Sequence, residues 1–179
     1  MPYRRRFLAL TLIAPGAAAW ADLYDDYINS VSKKPFVAFL GRKATTSTIG
    51  HAFVGAGVEL EAGLLLYERF FGLYPKDGNL AAVKSVFTKQ SGKLDRTWDD
   101  LTWDTELRRF IDADHRSAVL ALFTKWSAAA PSYSLTANNG MNCNSLVGDV
   151  AKSVKLNVPS GAGDTRPWKY IEALKTLNP

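Results

Sequence analysis

Asn142-Cys143-Asn144-Ser145-Leu146-Val147-Gly148-Asp149-Val150-Ala151 is the stretch that decides how this chain reads. Leu146, Val147, Val150, Ala151 and, further on, Val154 recur at helical spacing. A helix from about Asn144 to Leu156 therefore buries one apolar face. Asn142 and Asn144 are both good capping residues, which places Cys143 immediately before that helix or in its first turn. Backbone N–H groups at a helix start lack an intrahelical acceptor and are positively polarised. A thiolate is favoured there, so the pKa of Cys143 is expected to drop and the sulfur to become a nucleophile at neutral pH. The same amides can donate to a developing oxyanion. The plain alternative is a small buried hydrophobe at a helix start.

The elements before this helix read mostly as strands. Pro35 to Gly41 is a compact apolar run bounded by Pro and Gly. Ile49 to Val54 resumes strand character, with Ile49, His51 and Phe53 on one face and Ala52 and Val54 on the other. Gly55 and Gly57 then loosen the chain. Leu64 to Tyr74 is aromatic-rich and ends at the turn signal Pro75-Lys76-Asp77-Gly78, which favours a strand. Val83 to Phe87 reads as a further strand or edge element, and Thr97 to Phe110, with Trp98 and Trp103, carries no clear period. Asp112 or Asp114 caps a helix to about Ala129, with Ala118, Val119, Leu122, Phe123 and Trp126 on one face. Loops follow over Pro131 to Met141 and Pro159 to Pro167, and a short helix spans Trp168 to Leu177. Strands first and helices later is an α+β order.

The 179 residues, 47% of them hydrophobic and 22% charged, are enough for one domain with a real core. The net charge of +5 is misleading. Arg4, Arg5 and Arg6 head an uncharged, largely apolar run from Phe7 to Trp20, and Ala19 and Ala21 follow at A-x-A spacing. These are the three parts of a secretory signal, so residues 1–21 are expected to be cleaved after Ala21. The run is too short, with Pro15 and Gly16 inside it, for a stable membrane span. Arg4-Arg5-Arg6-Phe7-Leu8 also resembles a twin-arginine motif, so either export route remains open. Removing three arginines from the 22 basic residues leaves 19 against 17 acidic ones, a net of +2. That removes the main support for a nucleic-acid partner. Residues 22–179 then form a single domain in a periplasmic or secreted setting, an oxidising place for a lone cysteine.

A nucleophilic cysteine needs a base within hydrogen-bond reach. Of the two histidines, His115 lies at a helix start on a polar face and reads as solvated. His51, in a strand, is the better base. Glu68, on the strand that follows, is the first choice for a third group to orient the imidazole, with Glu59 and Glu61 as alternatives. Each also reads simply as a structural residue: a satisfied histidine, a surface carboxylate. Tyr67, Phe70, Phe71, Tyr74, Trp98, Trp103 and Trp126 read as core, while Trp168 is placed to line a cleft. Gly55-Ala56-Gly57 is not a phosphate loop, Ser145 has no nucleophile elbow around it, and no metal-spaced ligand set occurs. No cofactor or metal is expected.

Gly50-His51-Ala52-Phe53-Val54, then Phe71-Gly72-Leu73-Tyr74-Pro75, then Asn142-Cys143-Asn144-Ser145 opening a helix, resembles the circularly permuted papain-like thiol hydrolases. That branch includes the lecithin:retinol acyltransferase-like proteins, and in it the histidine precedes the cysteine, unlike ordinary NlpC-like peptidases. The resemblance covers His51 to about Leu177. It implies a small antiparallel sheet packed against the cysteine helix, Cys143 as nucleophile, His51 as base and a polar third residue on the next strand. By position, Asn142 is assigned to the oxyanion hole.

The resulting expectation is an exported cysteine hydrolase that cleaves an amide bond, with peptidoglycan peptide as the natural substrate class in a bacterial envelope. Two other classes compete: a lipid acyltransferase or esterase using the same Cys–His pair, and a non-catalytic envelope binding module. The oligomeric state is not legible.

Overall fold

Lys34–Arg42 forms β1, which is buried from Phe36 to Gly41 because it lies mid-sheet and is covered on both faces. The computed structural model describes residues 33–46, 50–78, 84–95, 102–137 and 140–179. The expected leader 1–21, Val83 and Trp98 lie outside them. Strand β2 is His51–Glu59, β3 is Leu65–Pro75, β4 is Gly92–Asp95 and β5 is Thr105–Phe110. The sheet runs β4-β3-β2-β1-β5 with every neighbouring pair antiparallel. Helices α1 (Ala113–Ala128), α2 (Cys143–Ser153) and α3 (Pro167–Leu177) follow. Among the described residues this is an α+β architecture of five antiparallel strands and three helices.

Alternation along the strands sorts the core into two. Val37, Phe39, Ala52, Val54, Ala56, Phe71, Leu73 and Leu107 point to the helices and pack with Val119, Phe123, Leu146, Val150, Tyr170 and Ile171. Phe36, Ala38, Leu40, Phe53 and Phe70 form a second cluster on the other face, edged by Tyr67 and Trp103. Strand β2 thus contributes alternate residues to opposite cores, as its sequence phase requires.

Two strand expectations need correction. Gly55 and Gly57 do not loosen the chain, since β2 runs through both. A Cβ at Gly55 would lie 2.7 Å from the Tyr67 ring, and one at Gly57 would lie 2.1 Å from the Leu66 carbonyl oxygen. The glycines let β3 approach, beside a β-bulge between Ala56 and Gly57. The part of Val83 to Phe87 that is described is not a strand: the N–H groups of Phe87 and Thr88 return to the Lys84 carbonyl as a turn. Of the unassigned Thr97 to Phe110 segment, Thr105–Phe110 is β5, paired to β1 from Phe36↔Phe110 to Gly41↔Thr105.

The helices match their signals closely. Asp112 caps α1 by accepting the His115 N–H. Helix α2 stops at Ser153, three residues before the expected Leu156. Lys155 turns left-handed at φ 61°, and the Leu156 N–H returns to the Ala151 carbonyl. Pro167 opens α3, where a missing N–H costs nothing.

Leu146 is fully buried where α2 meets the sheet. Leu146→Ala is expected to lower the unfolding free energy by about 2–5 kcal/mol. Gly57→Ala should cost at least as much, since the new methyl meets backbone. Urea unfolding of both variants checks this, and a loss below about 1 kcal/mol for Leu146→Ala would mean the site collapses around the gap.

Candidate functional site

Cys143 is the first residue of α2, and Asn142 is its N-cap. The Asn142 Oδ1 accepts the Ser145 N–H at 2.9 Å, and the Asn142 N–H reaches the Ser145 Oγ, a reciprocal capping box. The other end of the same amide is committed too: Nδ2 donates to the carbonyls of Leu135 and Ala162, each at 2.9 Å. The Asn142 side chain is therefore structural, and the oxyanion role assigned to it by position does not fit: both amide hydrogens are already given to main-chain acceptors. Asn144, read as a second cap, is instead a clamp. Its Nδ2 donates to Ala162 at 3.0 Å and to Thr165 at 2.7 Å, which ties the loop before α3 to the first turn of α2.

The Cys143 sulfur lies against the histidine strand and takes hydrogen-bonding support from the Ala52 backbone N–H, that is, from the peptide joining His51 to Ala52. The N–H groups of Asn144 and Cys143 add to it. These are the polarised amides that the sequence led one to expect at a helix start. Their effect is outweighed. Burial pushes the Cys143 thiol up to about 11 from an ordinary value near 9, against those three donors. The expected lowering of its pKa is thus corrected. The side chain is 5% exposed, and a charge there gives up more hydration than the amides return.

His51 opens β2 opposite Arg42 of β1. Its imidazole stands on the Phe53 face, parallel to the Phe53 ring at 5.9 Å between centroids. It stacks on Tyr74 of β3 at 3.9 Å and 30°. A Cβ at Gly72 would lie 2.4 Å from the imidazole Nε2, so the ring extends over β3 at the one residue without a side chain. The thiol and the imidazole meet the same end of the sheet one peptide apart, the thiol from the helix side and the ring with Phe53 and Tyr74.

The carboxylates expected to orient His51 stand elsewhere. Glu68 lies six positions before Tyr74 on β3, about 20 Å at strand rise. It accepts from Arg116 of α1 at 2.7 Å. Glu59 ends β2, eight residues and about 26 Å from His51, and Glu61 lies just past it in a short 3₁₀ turn. Proximity in sequence carried all three to the wrong end of the strands. His115 is not simply solvated either: its Nδ1 lies 2.7 Å from the Asp112 carboxylate that caps its helix.

Two tyrosines belong to this end of the sheet: Tyr74, read as core, and Tyr133, in the loop from Pro131 to Met141. Tyr74 stacks on the imidazole. Tyr133 is buried, and burial first, then the neighbouring Cys143 and Tyr74, keep its hydroxyl protonated well above its ordinary value. The available signal for Tyr74 was Gly72, a glycine inside an aromatic strand two residues earlier, which marks a close approach. Trp168 is half-buried at the start of α3, with the Lys43 and Lys169 ammoniums each 5.3 Å from its ring centroid. Its Cα lies 2.9 Å from where a Gly41 Cβ would stand, so it flanks the end of β1 next to Arg42.

No cluster of three metal-ligating side chains occurs among the described residues, and no helix among them is long and apolar enough to cross a membrane. No protein-family model matches the chain, and neither a curated protein nor a solved structure is similar to it.

The raised Cys143 pKa has a direct consequence for stability. The thiol is neutral in both folded and unfolded chains below pH 9, so it contributes no pH dependence there. Between about 9 and about 11 the unfolded thiol ionises and the folded one does not, so stability falls as pH rises. Urea unfolding from pH 8 to 10.5 should show a steeper decline in the native chain than in Cys143→Ala. Parallel curves would show that the folded thiol ionises normally.

Proposed function

We propose that the chain is an exported thiol hydrolase of the permuted papain-like type that cleaves an amide bond, with peptidoglycan peptide as its substrate class. The observation that carries this reading is the Cys143 sulfur at the start of α2, held against the amide that follows His51. The antiparallel sheet packed on the cysteine helix, with the histidine at a strand start, supports the same reading. Trp168 and its lysines would flank the substrate.

The thiol is neutral at rest, so the reaction does not begin from a stored thiolate–imidazolium pair. His51 takes the thiol proton as the sulfur attacks the carbonyl carbon, and the imidazolium returns that proton to the departing amine. Water then attacks the thioester, again with His51 as base, which releases the acid and restores the thiol. The sulfur approaches β2 from the helix face and the imidazole stands with Phe53 on the other, so this reading requires the two to meet around the start of β2 when substrate is bound. The N–H groups of Cys143, Asn144 and Ala52 are the donors available to the oxyanion.

The buried, protonated thiol also favours a second reading, a non-catalytic envelope binding module that keeps the architecture. A lipid acyltransferase would use the same atoms on an ester, and binding of the mature chain to liposomes would separate it from the amidase.

Cys143→Ala and His51→Ala should each abolish release of amine from peptidoglycan peptides, with thermal unfolding of the Cys143 variant little changed. Full activity in Cys143→Ala would sink the mechanism. An inactive native chain that still binds those peptides would move the binding module to the front.

A further inference from the structure

Tyr74 occupies the place on β3 where a polar orienting group for His51 was expected. The two rings are 3.9 Å apart at their centroids and 30° from parallel. That is inside the range at which an aromatic face attracts a cation. On the β3 side Gly72 gives the ring its space, since a methyl there would sit 2.4 Å from Nε2. Among the described residues, the surrounding elements carry these charged and titratable groups. Arg42 of β1, directly opposite in register, is a cation. Cys143 of α2 meets β2 on the other face, at Ala52, and its thiol is neutral. Tyr133, beside Cys143, is a neutral phenol. Glu68, about 20 Å back along β3, does not face the ring and is engaged by Arg116.

We propose that Tyr74 is the positioning residue for His51, its ring face fixing the imidazole plane and stabilising the imidazolium, with Gly72 as the gap that lets the two rings stack. This rests on the thiol-hydrolase reading for its purpose, but not for its measurement. An acyl transfer through Cys143 charges His51 transiently, once per half-reaction. A π face supports that charge without holding a permanent counter-charge beside a sulfur that must itself become an anion. A carboxylate in the same place would oppose the thiolate.

The experiment is the pH titration of the histidine ring signals by NMR in the full mature chain. The chain has two histidines, and His115, bonded to Asp112, is the internal control. In Tyr74→Leu the His51 midpoint should fall by about half a unit or more, in line with loss of a cation–π contact. Tyr74→Phe, which keeps the ring face, should restore the native midpoint, and His115 should not move in either. Gly72→Ala attacks the same stack from the other side and should also lower the His51 midpoint, which keeps the proposal testable if Tyr74→Leu fails to fold. An unmoved His51 midpoint in Tyr74→Leu overturns the proposal, and so does an equal fall in the Phe variant, which would assign the effect to the hydroxyl. Iodoacetamide labelling of Cys143 against pH, native against His51→Ala, reads the underlying function separately. An unchanged labelling profile there defeats the thiol-hydrolase reading and leaves the Tyr74 result to be judged on the titration alone.

Discussion

The Ala162 carbonyl oxygen accepts from two buried asparagines at once, Asn142 and Asn144, and the placement of Cys143 between them depends on that shared acceptor. One amide caps α2 and grips the loop at Leu135. The other grips the loop at Thr165. Two separate loops are thereby pinned to a single turn of helix. Both asparagines are buried, so removing either leaves main-chain acceptors without partners in a dry setting. Polar groups with such commitments make the start of α2 rigid, and rigidity there is what the proposed nucleophile would require.

The balance at Cys143 is a contest between two ordinary effects. Helix-start amides favour a thiolate, and burial disfavours it. In an open cleft the amides would win. Here the sulfur is enclosed by β2, Tyr133 and its own helix, and the loss of hydration dominates. A neutral resting thiol also resists oxidation, because oxidation proceeds through the thiolate. The lone cysteine of the chain is thus shielded from oxidation by the burial that sets its pKa.

The two faces of the sheet divide the labour. The helix face supplies the large apolar contact that fixes α2 and α3 against β1, β2 and β5. The opposite face gathers aromatics, Phe36, Phe53, Tyr67, Phe70 and Trp103, and at its end His51 and Tyr74 continue the same stack. The imidazole is the last ring of an aromatic row. Its orientation is set by packing as much as by hydrogen bonding.

The sequence by itself determined the elements whose signals are local. Hydrophobic period marked β1, the phase of β2 and the buried faces of α1 and α2. Asp112 and Asn142 marked two helix starts, because caps act within a turn of where they stand. The opposition of Ala52 to His51 was legible too, since alternation is a property of the strand alone. The tertiary structure decided everything that depends on which residues meet across the chain. Glu68 was a reasonable orienting group until the β2–β3 register, shifted by the bulge at Ala56 and Gly57, placed Tyr74 at the imidazole and sent Glu68 to Arg116. Gly55 and Gly57 looked like breaks because the groups that need their space, the Tyr67 and Phe70 rings and the Leu66 carbonyl, are nine or more residues away. The thiol pKa followed the same rule: the helix start is local, but burial is a sum over distant neighbours, and at Cys143 that sum is larger.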